Sequence, residues 1–514
     1  MFWKQGPVIV ALIGAALLVS SCAVGPNFAA PAVPEASRYT KEPLAPRTSS
    51  APVKDGQAQH FVNGRDIPGD WWILYHSPGL NAVVRRAIEG NPNLQSVISA
   101  VRVAKEMTYA EQGKFFPSAQ ASFTPTRNLT ASSLAPVNAN GVLFSPNYFD
   151  LYTTQVAVAY SLDIWGGERR TVESLMAQED SQRFLVEVAY ITLTSNVVVA
   201  AIQEASLRGQ IDATNQLITI NSKMLELLRR QFMEGYANRN DVALQEAQLA
   251  QTRTTLPPLR KALAQQRNLL AALSGRLPAD EPAETFTLAT LTLPTELPVS
   301  LPSQLVKQRP DVRTAEELLH SASAQIGVAT ANMLPNITLN ATGGYQSEAL
   351  LGLISSPFNS FFTLGATASH TVLDGFSLLH QRRAADAQYD QAAWNYRTTV
   401  VTAFQNVADA LRAIQNDADA LKAAYDFERA SKTSLDLAQQ QMASGNANFL
   451  YLLNAQIAYQ NAIILRVQAQ AARLSDAAAL YFALGGGWWN REGPPPEMKL
   501  DVVTAQIVPY GARP

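Results

Sequence analysis

The chain has 514 residues, 47% of them apolar, with 40 Lys and Arg against 42 Asp and Glu and a formal net charge of −2. The apolar fraction excludes a disordered chain, and the length suits two or three structural units. The near-neutral charge excludes the cationic surface of a nucleic-acid binder, and the single cysteine, Cys22, excludes an intramolecular disulfide framework, a four-cysteine zinc site and CxxC redox chemistry.

Residues 1–21 read as a signal peptide: Lys4, the apolar run Val8 to Val19, then Ser20 and Ser21 before Cys22. The run is too short to span a bilayer, which takes about 20 residues. V-S-S-C resembles a bacterial lipobox, in which the cysteine becomes the first mature residue and carries lipid; the plainer alternative is an ordinary export signal with an incidental cysteine. Ala23 stands where an inner-membrane lipoprotein typically has Asp, which by the same resemblance favours outer-membrane sorting. No later stretch approaches 18 consecutive apolar residues, so no transmembrane helix is predicted.

From residue 22 to 77 the chain is rich in proline and small residues and predicts an extended arm. Proline is then absent between Pro146 and Pro257 and between Pro357 and Pro494, while Pro278 to Pro310 holds six. Such proline-free tracts, rich in Ala, Leu, Gln, Glu and Arg, suit uninterrupted helices, because an interior proline costs about 3 kcal/mol. Long helices are predicted from about Gly166 to Phe232 and from Gly375 to Met442, each about 100 Å long at 1.5 Å per residue. Each stops at a glycine, Gly235 and Gly445, and returns as a second helix, Asn240 to Leu273 and Phe449 to Leu484, giving two helical hairpins.

The halves repeat each other. One spacing separates Pro92 from Pro310 and Pro117 from Pro335; a shorter one separates Pro146 from Pro357 and Asp163 from Asp374, and one a single residue shorter still separates Gly235 from Gly445 and Gly275 from Gly485. The change in register falls at two loop-like segments, Ala131 to Asn147 and Glu348 to Asn359. Alternation flanks each loop: Ala119, Ala121, Phe123 and Val156, Val158, Tyr160, Leu162 in the first half, and Ile337, Leu339, Ala341 and Phe362, Leu364, Ala366 in the second, with polar or small residues between. Strands are predicted over 118–128, 150–162, 336–346 and 361–373, about ten residues long and apolar on one face, as in membrane β-barrels. A half-buried soluble sheet has the same period. Four strands cannot close a barrel, and an open edge in lipid strands backbone groups without partners, so closure needs other copies. Three copies give twelve strands; two give eight, a barrel with little interior room.

With these features the chain resembles the TolC-like outer membrane factors, in the lipoprotein (OprM/NodT-like) branch that serves tripartite efflux systems of the resistance-nodulation-division (RND) type. The resemblance rests on C-A-V-G-P-N-F at Cys22, D-W-W-I-L-Y and L-N-A-V-V-R-R-A-I-E-G-N-P-N-L from Asp70, Y-S-L-D-I-W-G from Tyr160, D-V-A-L-Q-E-A-Q-L-A-Q-T-R from Asp241 and A-L-G-G-G-W from Ala483. It implies a mixed α and β membrane protein: a homotrimer with a 12-stranded β-barrel, four strands per chain, continuous with a periplasmic α-helical barrel built from two structural repeats. The divisions are then an arm over 22–77, a first repeat over 78–277, an equatorial linker over 278–309, a second repeat over 310–487 and an equatorial tail over 488–514. The resemblance further implies a lipid-anchored, passive exit duct in the outer membrane of a Gram-negative bacterium. Its partners are a periplasmic membrane-fusion adaptor, an inner-membrane RND-type pump and outer membrane lipids, and its only attached group is the covalent lipid on Cys22.

In that family acidic residues at the hairpin turns help to form the periplasmic gate. Asp241 matches the acidic position of the first hairpin, while Tyr451 and Asn454 stand where many relatives carry aspartates, which weakens any cation-concentrating ring. Asp241 is equally readable as an early-helix carboxylate favoured by the helix dipole. Gly235 and Gly445 are turn residues first and adaptor contacts second. Asp163 and Asp374 read as helix caps, and Arg169, Arg170, Arg382 and Arg383 as solvated or lumen-facing charges. There is no GxSxG, HExxH, GxGxxG or Walker loop, and the five histidines form no i, i+4 pair, so neither an enzyme nor a metal site is predicted. Two alternatives stand beside the efflux duct: the duct of a type I protein secretion system, and a non-pore periplasmic coiled-coil scaffold lipoprotein.

Overall fold

The computed structural model describes residues 23–32, 38–129, 148–355, 357–444, 446 and 449–492. The signal segment, Cys22, the loop over 131–147, Gly445 and the tail beyond Glu492 lie outside the described residues.

In chain order the elements are strand β1 (His60–Asn63), helices α1 (Pro78–Gly90) and α2 (Pro92–Gln112), strands β2 (Ser118–Leu129) and β3 (Tyr148–Leu162), and helix α3 (Gly167–Met233), followed by α4 (Arg239–Thr254) and α5 (Leu256–Leu273). Then come β4 (Glu296–Val299), α6 (Pro302–Gln308), α7 (Pro310–Ala331), β5 (Asn336–Ser347), β6 (Ser360–Ser369), α8 (Ser377–Ala443) and α9 (Phe449–Ala483). The order helix, two strands, long helix, returning helix occurs twice, and α3 and α8 are both 67 residues long. The elements group into two compact units, one of Arg102–Asp180, Glu317–Trp394 and residues up to Ala30, the other of Pro31–Val101, Ser181–Glu316 and the chain from Asn395.

The first unit holds an antiparallel sheet of order β2-β3-β5-β6. Both long helices start within it on carboxylate caps. Asp163 accepts the N–H groups of Glu168 (3.0 Å) and Arg169 (3.1 Å), and Asp374 accepts that of Leu378 at 2.8 Å. Each carboxylate thus satisfies first-turn donors that have no partner within the helix. The arginines next to Asp163 depart from the sequence expectation. Arg169 is ion-paired to it at 3.0 Å, and Arg170 is buried, while Arg382 and Arg383 are exposed.

The second unit is built around an aromatic core. Trp71, Trp72 and Tyr75 of the D-W-W-I-L-Y motif are buried, Trp71 stacks on Tyr481 of α9 at 5.3 Å, and the Tyr75 hydroxyl donates to the Leu474 carbonyl at 2.8 Å. The glycines of A-L-G-G-G-W make the return from α9. Gly487 has φ +69°, and a Cβ there would lie 2.6 Å from the Ile67 carbonyl oxygen, so the motif admits no side chain. The arm and the linker between the repeats join as a two-stranded parallel sheet, His60–Asn63 on Glu296–Val299. The linker is also held by charge: Arg267 of α5 bonds Glu204 of α3 (3.0 Å), Glu281 (2.9 Å) and the Pro282 carbonyl (2.9 Å), with Glu204 fully buried. Facing carboxyls of α8 and α9 form a pair in which burial and the hydrogen bond to Asp417 push Asp476 up to about 8.

Most boundaries fall within two residues of the sequence expectation, and two features differ by more. The helix returning from Gly235 is not continuous to Leu273 but breaks at Thr255, because Pro257 and Pro258 have no N–H to give to the carbonyls of Arg253 and Thr254. The last strand stops at Ser369, not at 373: its partner β5 begins at Asn336, just after Pro335, and Asn336 already pairs with Ser369. Part of α3 is apolar enough, by length and composition, to cross a membrane; 67% of that window is buried within the protein. Val186, Ile191, Val197, Val198 and Ile202 of α3 lie in the aromatic core, so packing accounts for the apolar run.

Candidate functional site

Register decides what the sheet can face. Directly paired residues share a face, and the pairs Ala119↔Val158, Ala121↔Val156, Val156↔Gly343, Val158↔Ala341, Tyr160↔Leu339, Leu339↔Ala366 and Ala341↔Leu364 put all four apolar sets on one side. The opposite side carries Gln120, Ser122 and Thr124, Thr153 and Gln155, Thr338, Asn340 and Thr342, and Thr363 and Thr367. The apolar side is exposed: Phe362 is 80% and Leu364 74% accessible, and Phe123, Val156 and Leu339 are exposed as well. An apolar face of this extent is not stable in water and marks a membrane or partner surface. Aromatic residues lie near both ends of the strands, Tyr148 and Tyr345 at one and Tyr160 and Trp165 at the other, as in the interfacial belts of membrane proteins. The edge strands β2 and β6 have no outer partner among the described residues.

The hairpin turn after α3 is specified by backbone chemistry. Gly235 has φ +82°; its N–H donates to the Phe232 carbonyl (3.1 Å) and that of Tyr236 to the Gln231 carbonyl (2.8 Å), the paired bonds of a glycine-terminated helix. Three residues on, Asn238 and Asp241 form a capping box: Asn238 Oδ1 accepts the Asp241 N–H at 2.9 Å, and Asp241 accepts the Asn238 N–H at 3.5 Å. The local role foreseen for Asp241 is therefore present, and its carboxylate serves the helix start whatever else it does. Below the turn Gln245 donates to the Asn221 carbonyl (3.0 Å) and Asn221 to Thr252 (3.1 Å), so polar amides lace α3 to α4.

In the second hairpin the Asn446 N–H donates to the Gln441 carbonyl at 2.8 Å, the bond that Tyr236 makes in the first. Tyr451 and Asn454, one helical turn apart, share an exposed face of α9, while Leu452 and Ala455 pack on Leu435 and Ala438. Gln248 of α4 donates to Gln460 of α9 at 3.4 Å, joining the two hairpins. Sequence reasoning passed over Phe232, Met233 and Tyr236: Met233 is 77% and Tyr236 83% exposed, beside Gly235. The signal was in the sequence, since large apolar residues flanking a turn glycine have no local core to enter.

The profile of the family described as outer membrane efflux protein matches residues 83–276 and again 301–486, spans that contain α2 to α5 and α6 to α9. The chain belongs to this family. As an outer membrane efflux protein it functions in transport at the outer membrane and is not an enzyme. It is 26% identical over 450 residues to the pyoverdine export outer membrane protein OpmQ of Pseudomonas putida, covering 87% of this chain and 94% of that one. It is 26% identical over 491 residues to the toluene efflux pump outer membrane protein TtgF of Pseudomonas putida, covering 94% and 98%. Among solved structures, the outer-membrane channel OprN superposes with a TM-score of 0.79 at 23% identity over 91% of this efflux protein and 100% of that chain. The Campylobacter jejuni CmeC outer membrane channel does so with 0.80 at 19% identity, over 93% and 97%. At these identities the structural likeness shows the fold.

Proposed function

We propose that three copies of this chain form the outer-membrane exit duct of a tripartite efflux system, through which small molecules leave passively after a periplasmic adaptor and an inner-membrane RND-type pump have loaded them. The observation that carries the proposal is the four-stranded sheet with one apolar face and two open edges. In lipid such edges must pair, and pairing β6 of one copy with β2 of the next closes twelve strands around the polar face. The names of the relatives, one for pyoverdine export and one for toluene efflux, support export of small molecules over protein secretion.

In this reading a lipid on Cys22 anchors the chain, and the hairpin turns form the periplasmic end of the duct. Asp241, Tyr451 and Asn454 line the constriction there, and Gly235 and Gly445 meet the adaptor. The partner opens the duct by binding the open arrangement more tightly than the closed one. Light scattering on the detergent-extracted particle tests the assembly. Three copies with ion conductance in planar bilayers support the duct; a stable, non-conducting monomer overturns it in favour of a scaffold.

A further inference from the structure

We propose that the start of α3 and the stretch 320–327 of α7 form a socket for the residues directly behind the lipid-bearing cysteine, and that Arg170 holds this acylated end of the chain at the foot of the sheet. The inference rests on the lipid-anchor reading of Cys22.

The contacts run from Val24 to Phe28. The Val24 N–H donates to the Trp165 carbonyl at 2.9 Å. Arg170, 4% exposed, donates from Nε to the Val24 carbonyl (3.1 Å) and from Nη2 to the Gly25 carbonyl (3.4 Å) and Asn27 Oδ1 (2.8 Å), while Nη1 bonds Glu173 at 2.7 Å. Gly25, at φ +94°, passes so close to α7 that a Cβ on it would lie 2.4 Å from the Gly327 Cα. Phe28 stacks on the His320 ring at 4.4 Å and 13°, and His320 Nε2 lies 3.0 Å from Glu173 Oε1.

A buried guanidinium must have its donors met, and three of these bonds go to the arm. The pocket is therefore complete only with the arm in it. The matching start of α8 has no such device, since Arg382 and Arg383 are exposed. Cys22 is one Cα step, about 3.8 Å, from Ala23. A Cβ on Gly166 would come within 2.7 Å of Ala23, and the neighbouring Trp165 is tied by its indole N–H to the Pro335 carbonyl (2.8 Å) at the start of β5. The acyl chains thus enter the membrane beside the strand ends, at the depth of an interfacial tryptophan. They do not trail from a free proline-rich tether.

The test places a specific protease site within residues 33–37 of the full mature chain, so that cleavage frees residues 22–32 as a separate peptide. The cut particle is immobilised, washed with excess detergent micelles, and the retained peptide is weighed by mass spectrometry. The wild-type body retains the peptide. Arg170→Ala and Gly327→Val, the latter closing the groove by crowding both the Val24 carbonyl and the Arg170 stem, lower retention at least tenfold. If either body variant fails to assemble, Asn27→Ala and Phe28→Ala in the peptide segment are read against the unaltered body, with the same loss expected. Loss of the wild-type peptide, or its full retention by the variants, overturns the socket. The peptide mass separates the two readings: an unacylated peptide that is retained removes the lipid and leaves the socket, whereas an acylated peptide that washes away does the reverse.

Discussion

Replacing Asp241 distinguishes a helix cap from a gate charge. The shorter half of the capping box, the Asp241 N–H on Asn238 Oδ1 at 2.9 Å, uses the backbone and survives any substitution but proline. Only the 3.5 Å bond from the Asn238 N–H and the favourable placement of a carboxylate at a helix start are lost in Asp241→Ala. Together these are worth about 0.5–1 kcal/mol, a factor of about 2 to 5 in fraying of the first turn of α4. Asp241→Gln keeps an acceptor for the Asn238 N–H and removes the charge; Asp241→Glu keeps both. If a ring of carboxylates narrows the duct, single-channel conductance in planar bilayers and antibiotic uptake rise equally in the Ala and Gln variants and stay at the wild-type level in the Glu variant. If the cap alone matters, only the Ala variant changes. Normal conductance in both Ala and Gln variants, at normal expression, removes Asp241 from the gate, and a stability loss well above 1 kcal/mol in Asp241→Ala refutes the energetic reasoning.

Further outcomes follow from the second unit. Asp476, raised from 3.8 to about 8, contributes stability in full below its ordinary value and loses it as the pH rises through about 8. Asp476→Asn should therefore flatten the fall of melting temperature between pH 5 and 9, a dependence of up to about 1.4 kcal/mol per pH unit; an unchanged slope would sink this. Gly235 and Gly275 share positive φ but not surroundings: a Cβ at Gly235 meets nothing within 4 Å, whereas at Gly275 it lies 2.0 Å from the Gly90 carbonyl oxygen. Denaturation should then show a cost of about 1 kcal/mol for Gly235→Ala, the left-handed backbone alone, and clearly more for Gly275→Ala; equal costs would contradict the geometry. Arg267→Ala leaves buried Glu204 with only Arg208 and should cost about 3 kcal/mol in a thermal melt, with little recovery in Arg267→Lys, whose single ammonium cannot reach Glu204, Glu281 and the Pro282 carbonyl together.

What could be read from the sequence was what local periodicity and backbone chemistry control. Alternation at Ala119, Val156, Ile337 and Phe362 falls inside four strands, and the register then gathers those residues on one face. Gly235 announced a helix end because left-handed backbone suits glycine whatever surrounds it. The break at Thr255 was also written locally, in Pro257 and Pro258, but the strong helical pattern on either side masked it. Arg170 was misread because its partners, Val24, Gly25 and Asn27, lie more than 140 positions away, and a charge near a helix start looks the same in sequence whether solvated or buried. The pairing of Asp476 with Asp417 was likewise out of reach, since each sits on a helix with many similar carboxylates.

Arg473 of α9 has a further consequence for how the protein is made. Buried beneath the arm, it donates to the carbonyls of Asp55 and Gln57 and to the Gln59 side chain, across 418, 416 and 414 positions. Residues 55–59 of the arm therefore stay unfastened at this point until Arg473 is made, and Trp71 waits for Tyr481 and the Tyr75 hydroxyl for the Leu474 carbonyl. Contacts this distant in sequence form slowly and leave apolar surface uncovered meanwhile. A nascent chain stalled or truncated before α9 leaves Trp71 and Tyr75 without these partners and open to periplasmic proteases.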